Sequence, residues 1–401
     1  MYSKNEFKHL LLIIIIFIAA CIETDIYLPA FPDMMNWFST TESAIQGLLT
    51  WNFIGICLSG PFYGPLSDAF GRKKPLIVAL IFFLAGSILT LCAQTFDQML
   101  FGRILQGIGS GGCFTLGTAI IFDTFQKEKA ITALTSLNTI IPLIMAGAPM
   151  LGGFLNNNFG FRSNFLTIVL FVLLSLILCL FLFEEPLSKD KRAPFDLATI
   201  LRDFKKVLLS LAFWQITLVL SLLFGGYIAF LSGSTVLFMV EFGMSKIVFP
   251  FIQAAVLGGW VAGSLLLKRS LASLGPLKVK RFGILLCIIG ALELVVAAWL
   301  TPENPYLHTL GMVLYAFGAN WVVGLYFPEG MELFPEIKGI ASSLLTSARL
   351  LLSAWIIGMT SALYNGTIYP LAAVIIGTVV LMLPTLFYYE KRKVNSSAET
   401  A

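Results

Sequence analysis

Long apolar stretches separated by short polar joints run along almost the entire chain. Each stretch holds roughly 20 residues, the length that carries an α-helix across the hydrocarbon core of a bilayer. A joint between two such stretches must therefore lie at a membrane surface. The pattern predicts an all-α integral membrane fold with twelve transmembrane helices. Their approximate bounds are 10–30, 44–66, 75–93, 98–123, 131–155, 165–183, 209–231, 247–267, 282–300, 306–328, 339–363 and 368–388.

The longest polar stretch lies near the middle of the chain and holds prolines and six cations. It predicts a cytoplasmic linker over 188–207, between an N-terminal six-helix bundle over 1–187 and a C-terminal six-helix bundle over 208–401. Two halves of six spans are typical of duplicated transporters.

Composition and charge agree with a multi-pass membrane protein and give its orientation. Only 12% of the residues are charged and 58% are hydrophobic, whereas soluble domains are typically about 25% charged. With the N-terminus inside, 22 of the 26 lysines and arginines fall in cytoplasmic segments, and only Arg162 and Lys246 fall outside. This split predicts an inner-membrane protein with both termini in the cytoplasm. The modest net charge of +4 does not indicate a nucleic-acid partner.

The joint between the second and third stretches carries two glycines that frame an acid and an arginine: Gly64, Asp68, Gly71 and Arg72. Asp68 and Arg72 are four residues apart and would share a helix face. Asp123 ends the fourth stretch at the same membrane surface. These residues predict an inner latch, defined as Asp68, Arg72 and Asp123, that holds one conformational state.

Two acids, Glu23 and Asp25, interrupt the first apolar stretch. An ionisable group inside a membrane span is costly and usually functional, although Asp25 lies near enough to the outer end to reach the surface instead. The two side chains point about 200° apart on a helix, so which of them faces a cavity stays open. Arg103 and Gln106 follow in the fourth stretch, and an arginine there needs an anionic or hydrogen-bonding partner. We predict a proton or substrate site at these four residues.

Further polar, aromatic and proline residues lie in other apolar stretches. Pro149, Gly152 and Gly153 predict a bent, closely packed fifth helix. The weaker candidates for lining a cavity are Tyr27, Asn52, Tyr227, Phe230, Glu293 and Arg349.

Four motifs resemble those of the major facilitator superfamily. The run from Gly64 to Lys74 resembles the loop signature of that superfamily, and the run that starts at Arg103 resembles its fourth-helix motif. The run from Asp25 to Pro32 is similar to the first helix of the bicyclomycin/chloramphenicol-resistance branch of drug:proton antiporters. The run that includes Pro149 and Gly153 resembles the motif of antiporters rather than symporters.

The resemblance implies two pseudo-symmetric six-helix halves around a central cavity. It also implies proton-coupled export of a small, partly apolar drug or metabolite, as in multidrug efflux and antibiotic resistance, with Asp25 as a proton or substrate site. The expected partners are a small-molecule substrate, protons and the lipid bilayer, and the chain is expected to work as a monomer.

Two alternatives belong to other functional classes. The nearer is a superfamily importer or symporter of a metabolite, polyamine or metallophore. The more distant is a membrane-embedded enzyme, but the chain has short loops and only two histidines. No cofactor or metal is expected, because the cysteines and histidines are not spaced like metal ligands. We also expect that the protein is not an enzyme.

Overall fold

The computed structural model describes residues 4–125, 144–145, 147–192 and 196–399. Part of the predicted fifth span, 131–155, lies outside the described residues. The remaining chain forms helices that follow the predicted apolar stretches closely. The helices of the first half are α1 (Lys4–Asp25), α2 (Phe31–Phe38), α3 (Glu42–Phe70), α4 (Lys73–Cys92), α5 (Phe96–Thr124), α6 (147–159) and α7 (Arg162–Leu182).

The second half continues the pattern with long helices and short joints. Its helices are α8 (Leu197–Leu208), α9 (Leu211–Val236), α10 (Phe249–Leu274), α11 (Pro276–Leu300), α12 (Pro305–Glu332), α13 (Lys338–Ala362) and α14 (Tyr369–Glu399). A π-helical turn, Leu237–Glu241, extends α9. The linker is not entirely irregular, because α8 lies inside it.

Ten helical segments of the described residues are long and apolar enough to cross a membrane. Together with α3 they occupy eleven of the twelve predicted positions, and α6 covers the described end of the remaining one, 131–155. α3 spans 29 residues but is less apolar, because polar residues and glycines lie on its buried face. The first predicted span, 10–30, is interrupted: α1 ends at Asp25, and Pro29 and Pro32 follow the break. Pro29 lies in the first turn of the short helix Leu28–Ala30, and Pro32 lies in the first turn of α2. A backbone N–H in the first turn of a helix has no partner within the helix, so a proline there costs no hydrogen bond.

The chain forms two compact units. Unit 1 comprises Met1–Ile200 and the short segment Met244–Ala254, and unit 2 comprises Leu201–Gly243 and Ala255–Ala401. In unit 1, α5 packs against α3 and α4. In unit 2, α9 packs against α12, α13 and α14, and α11 packs along α12. The core of each unit is therefore built around one central helix, α5 or α9.

Candidate functional site

Glu23 and Arg103 form an ion pair inside unit 1. The Nη1 of Arg103 lies 2.6 Å from Oε2 of Glu23, and both side chains are 0% exposed. A capping box at Thr95 and Gln98 fixes the start of α5, so Arg103 lies about 10 Å along that helix. Charges this deep in a membrane span require hydrogen-bonding partners, because water is absent.

Two polar side chains complete the surroundings of the Glu23 carboxylate. Asn52 of α3 donates from Nδ2 to Oε1 at 3.1 Å, and Ser110 of α5 donates from its hydroxyl to the same oxygen at 3.2 Å. The carboxylate therefore has hydrogen bonds from three residues on two helices. Together these bonds offset part of the cost of removing the charge from water.

Arg103 is also held by groups other than Glu23. Its Nη1 donates to Oε1 of Gln106 at 2.7 Å, and its Nη2 donates to the hydroxyl of Tyr27 at 3.1 Å. The guanidinium carbon lies 4.5 Å from the centre of the Tyr27 ring. Gln106 in turn donates to the hydroxyl of Ser87 on α4 at 3.1 Å.

We call Glu23, Tyr27, Asn52, Arg103, Gln106 and Ser110 the buried charge cluster. Five of these six were candidates from sequence. Ser110 and its neighbour Ser87 were missed, since a serine in an apolar helix usually bonds to its own backbone and carries no further signal.

Glycines bring the helices of this cluster close together. A Cβ at Gly107 would collide with the carbonyl oxygen of Asn52, and one at Gly55 would collide with the carbonyl oxygen of Ile104. The backbones of α3 and α5 therefore touch at this level, as small residues allow in membrane helices. This contact places the Asn52 side chain within reach of Glu23.

Asp25 and Glu23 have different surroundings. The direct ion-pair partner of Arg103 is Glu23. Asp25 is the last residue of α1, is 5% exposed, and its Oδ2 has no hydrogen-bond partner among the described residues. The rotation of α1 therefore gives the two acids different surroundings.

The inner latch is assembled within unit 1. Arg72 donates from Nη1 to Oδ1 of Asp68 and from Nε to Oδ2 of Asp123, each at 2.6 Å. The hydroxyl of Ser67 also accepts from Arg72. Burial alone would lower the pKa of Arg72, but the hydrogen bond and charge of Asp123 and the charge of Asp68 raise it above its ordinary value.

Glu185, a residue that sequence reasoning missed, binds the backbone beside the latch. Its carboxylate accepts from the backbone N–H groups of Arg72 and Lys73 at 2.8 and 3.0 Å. Gly71 has a φ of +89°, and a Cβ there would lie 2.5 Å from the Glu185 carboxylate. Gly64 differs from Gly71, since a Cβ there would meet nothing within 4 Å among the described residues.

The described part of the proline- and glycine-containing fifth span makes two close backbone approaches. A Cβ at Gly152 would collide with the carbonyl oxygen of Ile26, and one at Gly153 would lie 2.6 Å from the carbonyl oxygen of Lys246. Pro149 is buried one turn earlier. These glycines therefore allow α6 to contact both the end of the first span and the segment 244–254.

A second charged cluster, the outer clasp, consists of Asp33, Asn156 and Lys246. The Nζ of Lys246 lies 2.6 Å from both oxygens of Asp33, and Asn156 donates to Oδ2 of Asp33 at 2.7 Å. All three belong to unit 1. No pattern in the sequence indicates this pairing, because Asp33 and Lys246 are 213 positions apart.

The candidates on α9 differ in their surroundings. Phe230 is fully buried and packs edge-on against Phe238 at 6.0 Å between ring centres. Tyr227 lies 5.0 Å from Trp260. Arg349 of α13 is partly exposed and lies over an aromatic ring.

Glu293 does not join the other charged candidates. The exposed side chains of α11 include Ile289, Leu292 and Val296, which form one stripe along the helix. Glu293 lies about 40° from Ile289 around the helix axis, at the edge of that stripe, and it lies against Gly311 of α12. Its Oε2 is nevertheless buried and has no hydrogen-bond partner among the described residues.

Known proteins resemble this chain over most of its length. A bicyclomycin resistance protein homolog from Haemophilus influenzae is 23% identical over 98% of this chain and 99% of its own length. Multidrug resistance protein D from Escherichia coli is 24% identical over 85% of each chain. Among solved structures, the nucleoside transporter NupG superposes with a TM-score of 0.75, at 14% identity, over 96% of this chain and 99% of its own.

The family model gives the most direct assignment. The model described as the Major Facilitator Superfamily matches residues 13–359, which is most of the chain and includes the buried charge cluster and the inner latch. The chain therefore belongs to the major facilitator superfamily of membrane transporters.

Proposed function

We propose that the protein exports small, partly apolar compounds in exchange for protons, by alternating access. The names of its relatives, a bicyclomycin resistance homolog and a multidrug resistance protein, support this class of cargo. The resemblance of the run around Pro149, Gly152 and Gly153 to the antiporter motif supports exchange against protons. The importer alternative predicts the opposite direction of flux.

The ion pair between Glu23 and Arg103 carries the proposal. A buried pair costs several kcal/mol of desolvation, and apolar residues of similar size often stabilise a protein as well or better. An ionisable pair kept inside a membrane span is therefore a proton or substrate site by default. Glu23 replaces Asp25 as our first candidate for the proton carrier, and Asp25 becomes the second acid.

A proton cycle follows from the partners of Glu23. Arginine keeps its proton at accessible pH, so protonation must occur on the carboxylate. A neutral Glu23 no longer balances the charge of Arg103, which must then find another anionic partner. Asp25, two residues further along α1, is the nearest acid in sequence, and we propose that Arg103 moves toward it. Such a move couples proton uptake to a shift of α1 against α5.

The experiment compares two variants of the native protein in proteoliposomes, with a cargo selected by a thermal-shift screen. Glu23→Gln keeps the size of the side chain and one acceptor oxygen but cannot gain or lose a proton. We expect it to abolish transport driven by a pH gradient while still binding cargo. Glu303→Gln is the matched control and should transport normally, because Glu303 is an exposed acid in the joint between α11 and α12.

Unchanged gradient-driven transport by Glu23→Gln would remove this residue from the mechanism. Cargo flux measured in both directions tests export separately: net uptake with protons, rather than exchange against them, would establish the symporter alternative. Thermal unfolding of each variant shows whether it folds.

We also propose the placement of the protein. The split of 22 of its 26 cations to cytoplasmic segments supports an inner-membrane location with both termini inside. Each chain contains two compact helical units, and we propose the monomer, surrounded by lipid, as the transporting species.

A further inference from the structure

Unit 2 holds a cation against aromatic rings in the middle of a membrane span. The guanidinium carbon of Arg349 lies 4.7 Å from the centre of the Phe224 ring and 5.7 Å from that of Phe327. Arg349 lies about 16 Å along α13 from its first residue. A membrane helix tolerates an arginine at this depth only where it faces protein or water.

Two more rings continue the surface beside Phe224. The Trp260 ring lies 5.0 Å from that of Tyr227, tilted by 33°, and 6.0 Å from that of Phe224, nearly edge-on. We call Phe224, Tyr227, Trp260 and Arg349 the aromatic–arginine cluster. Its four members come from α9, α10 and α13, all within unit 2.

The partial exposure of this cluster is not exposure to lipid. On α13, the exposed side chains Leu351, Trp355 and Met359 form one stripe, and Arg349 lies about 200° from Leu351 around the axis. On α10, Phe251 and Leu265 mark the exposed stripe.

Trp260 lies about 180° from Phe251 around the α10 axis. Arg349 and Trp260 are nevertheless only partly buried. Both therefore turn a partly accessible surface toward the protein interior.

We propose that the aromatic–arginine cluster is a substrate subsite for a planar aromatic compound that carries a carboxylate. The guanidinium of arginine matches a carboxylate with two parallel hydrogen bonds, and flat rings stack on Trp and Phe. A cationic aromatic compound would be repelled by Arg349. The proposal rests on the proposed export function and assigns its cargo class.

The test measures binding to the purified native protein by isothermal titration calorimetry, with 2-naphthoate and its neutral isostere 2-naphthamide. We expect the carboxylate to bind on the order of tenfold more tightly than the amide. Arg349→Gln should remove that preference, while Arg349→Lys should keep part of it. Trp260→Leu should lower the affinity for both compounds by the same factor, roughly fivefold.

Arg281→Gln is the matched control, since it removes an exposed cation outside this cluster; both affinities should remain. An unchanged preference in Arg349→Gln, or no preference in the native protein, would overturn the subsite. These outcomes are separate from those for transport. Binding of 2-naphthoate without proton-driven flux would refute export and retain the subsite. Proton-driven flux of another cargo without binding of 2-naphthoate would refute the subsite and retain export.

Discussion

Single residues determine whether the buried charge cluster can form. Gly55 and Gly107 let the backbones of α3 and α5 touch, which carries Asn52 to the carboxylate of Glu23. Gly64 lies on the same helix as Gly55, but a Cβ there would meet nothing within 4 Å among the described residues. An added Cβ therefore fits at Gly64 but collides with backbone at Gly55, although both residues lie on α3.

We predict that Gly107→Ala lowers the stability of the protein in detergent, whereas Gly64→Ala does not. The added Cβ at Gly107 pushes against backbone, at a cost of about 1–3 kcal/mol. At Gly64 the added Cβ only restricts the conformations of the unfolded chain, which raises the stability of the folded protein by up to about 1 kcal/mol. A thiol-reactive dye that reports exposure of buried cysteines such as Cys113 measures the unfolding temperature. Equal unfolding temperatures for the two variants would contradict the packing explanation.

The acids of the first span show how far sequence reasoning reaches at this scale. Their spacing predicts that Glu23 and Asp25 point apart, and the structure agrees. Which of them faces Arg103 depends on the rotation of α1 against α5, and one sequence does not encode that rotation. The motif resemblance directed attention to Asp25, whereas the fully buried partner is Glu23.

At the scale of elements, the start of α4 depends on a residue from a distant loop. Glu185, which follows α7, accepts hydrogen bonds from two backbone N–H groups at the start of α4. One belongs to Arg72, the N-cap residue, and the other to Lys73, the first residue of the helix. A carboxylate at a helix N-terminus also interacts favourably with the helix dipole. The inner latch is therefore anchored to the same carboxylate that caps α4.

We predict that Glu185→Ala loosens the first turn of α4 and the inner latch with it. Loss of such a cap costs about 0.5–2 kcal/mol, so backbone amides near Arg72 should exchange with deuterium on the order of tenfold faster. Glu184→Ala is the control, because its side chain is exposed. Equal exchange in the two variants would show that Glu185 does not support this turn.

Most elements could be predicted because hydrophobic length is a strong signal. The bounds of α4 and α5 differ from the predicted spans by only one or two residues. Glu185 could not be predicted, since its partners are backbone groups more than a hundred positions away. α2 was missed because prolines that end one helix also fit the first turn of the next.

For the whole molecule, the division into units does not follow the order of the chain. The segment 244–254 lies in the second half of the sequence but belongs to unit 1. Lys246 of this segment binds Asp33, and Gly153 approaches its backbone. A sequence pattern divides a chain only into consecutive segments. The predicted boundaries 1–187 and 208–401 therefore could not assign the segment 244–254 to unit 1.

We predict that Lys246→Asp releases the segment 244–254 and that adding Asp33→Lys restores it. The two side chains are 36% and 31% exposed, so solvent screening limits the pair to about 1 kcal/mol or less. Hydrogen exchange of the segment should rise by roughly fivefold in the single variant and return in the double variant. High salt should reduce the difference, and a double variant as open as the single one would contradict the clasp.

The raised pKa of Arg72 has a consequence for energy coupling. Its guanidinium stays charged at every pH that a cell experiences, because Asp123 and Asp68 outweigh the effect of burial. The proton gradient that is proposed to drive Glu23 therefore cannot discharge the arginine of the latch. A change of pH across that range therefore leaves the charge of Arg72 unaltered, whatever it does to the proposed proton carrier.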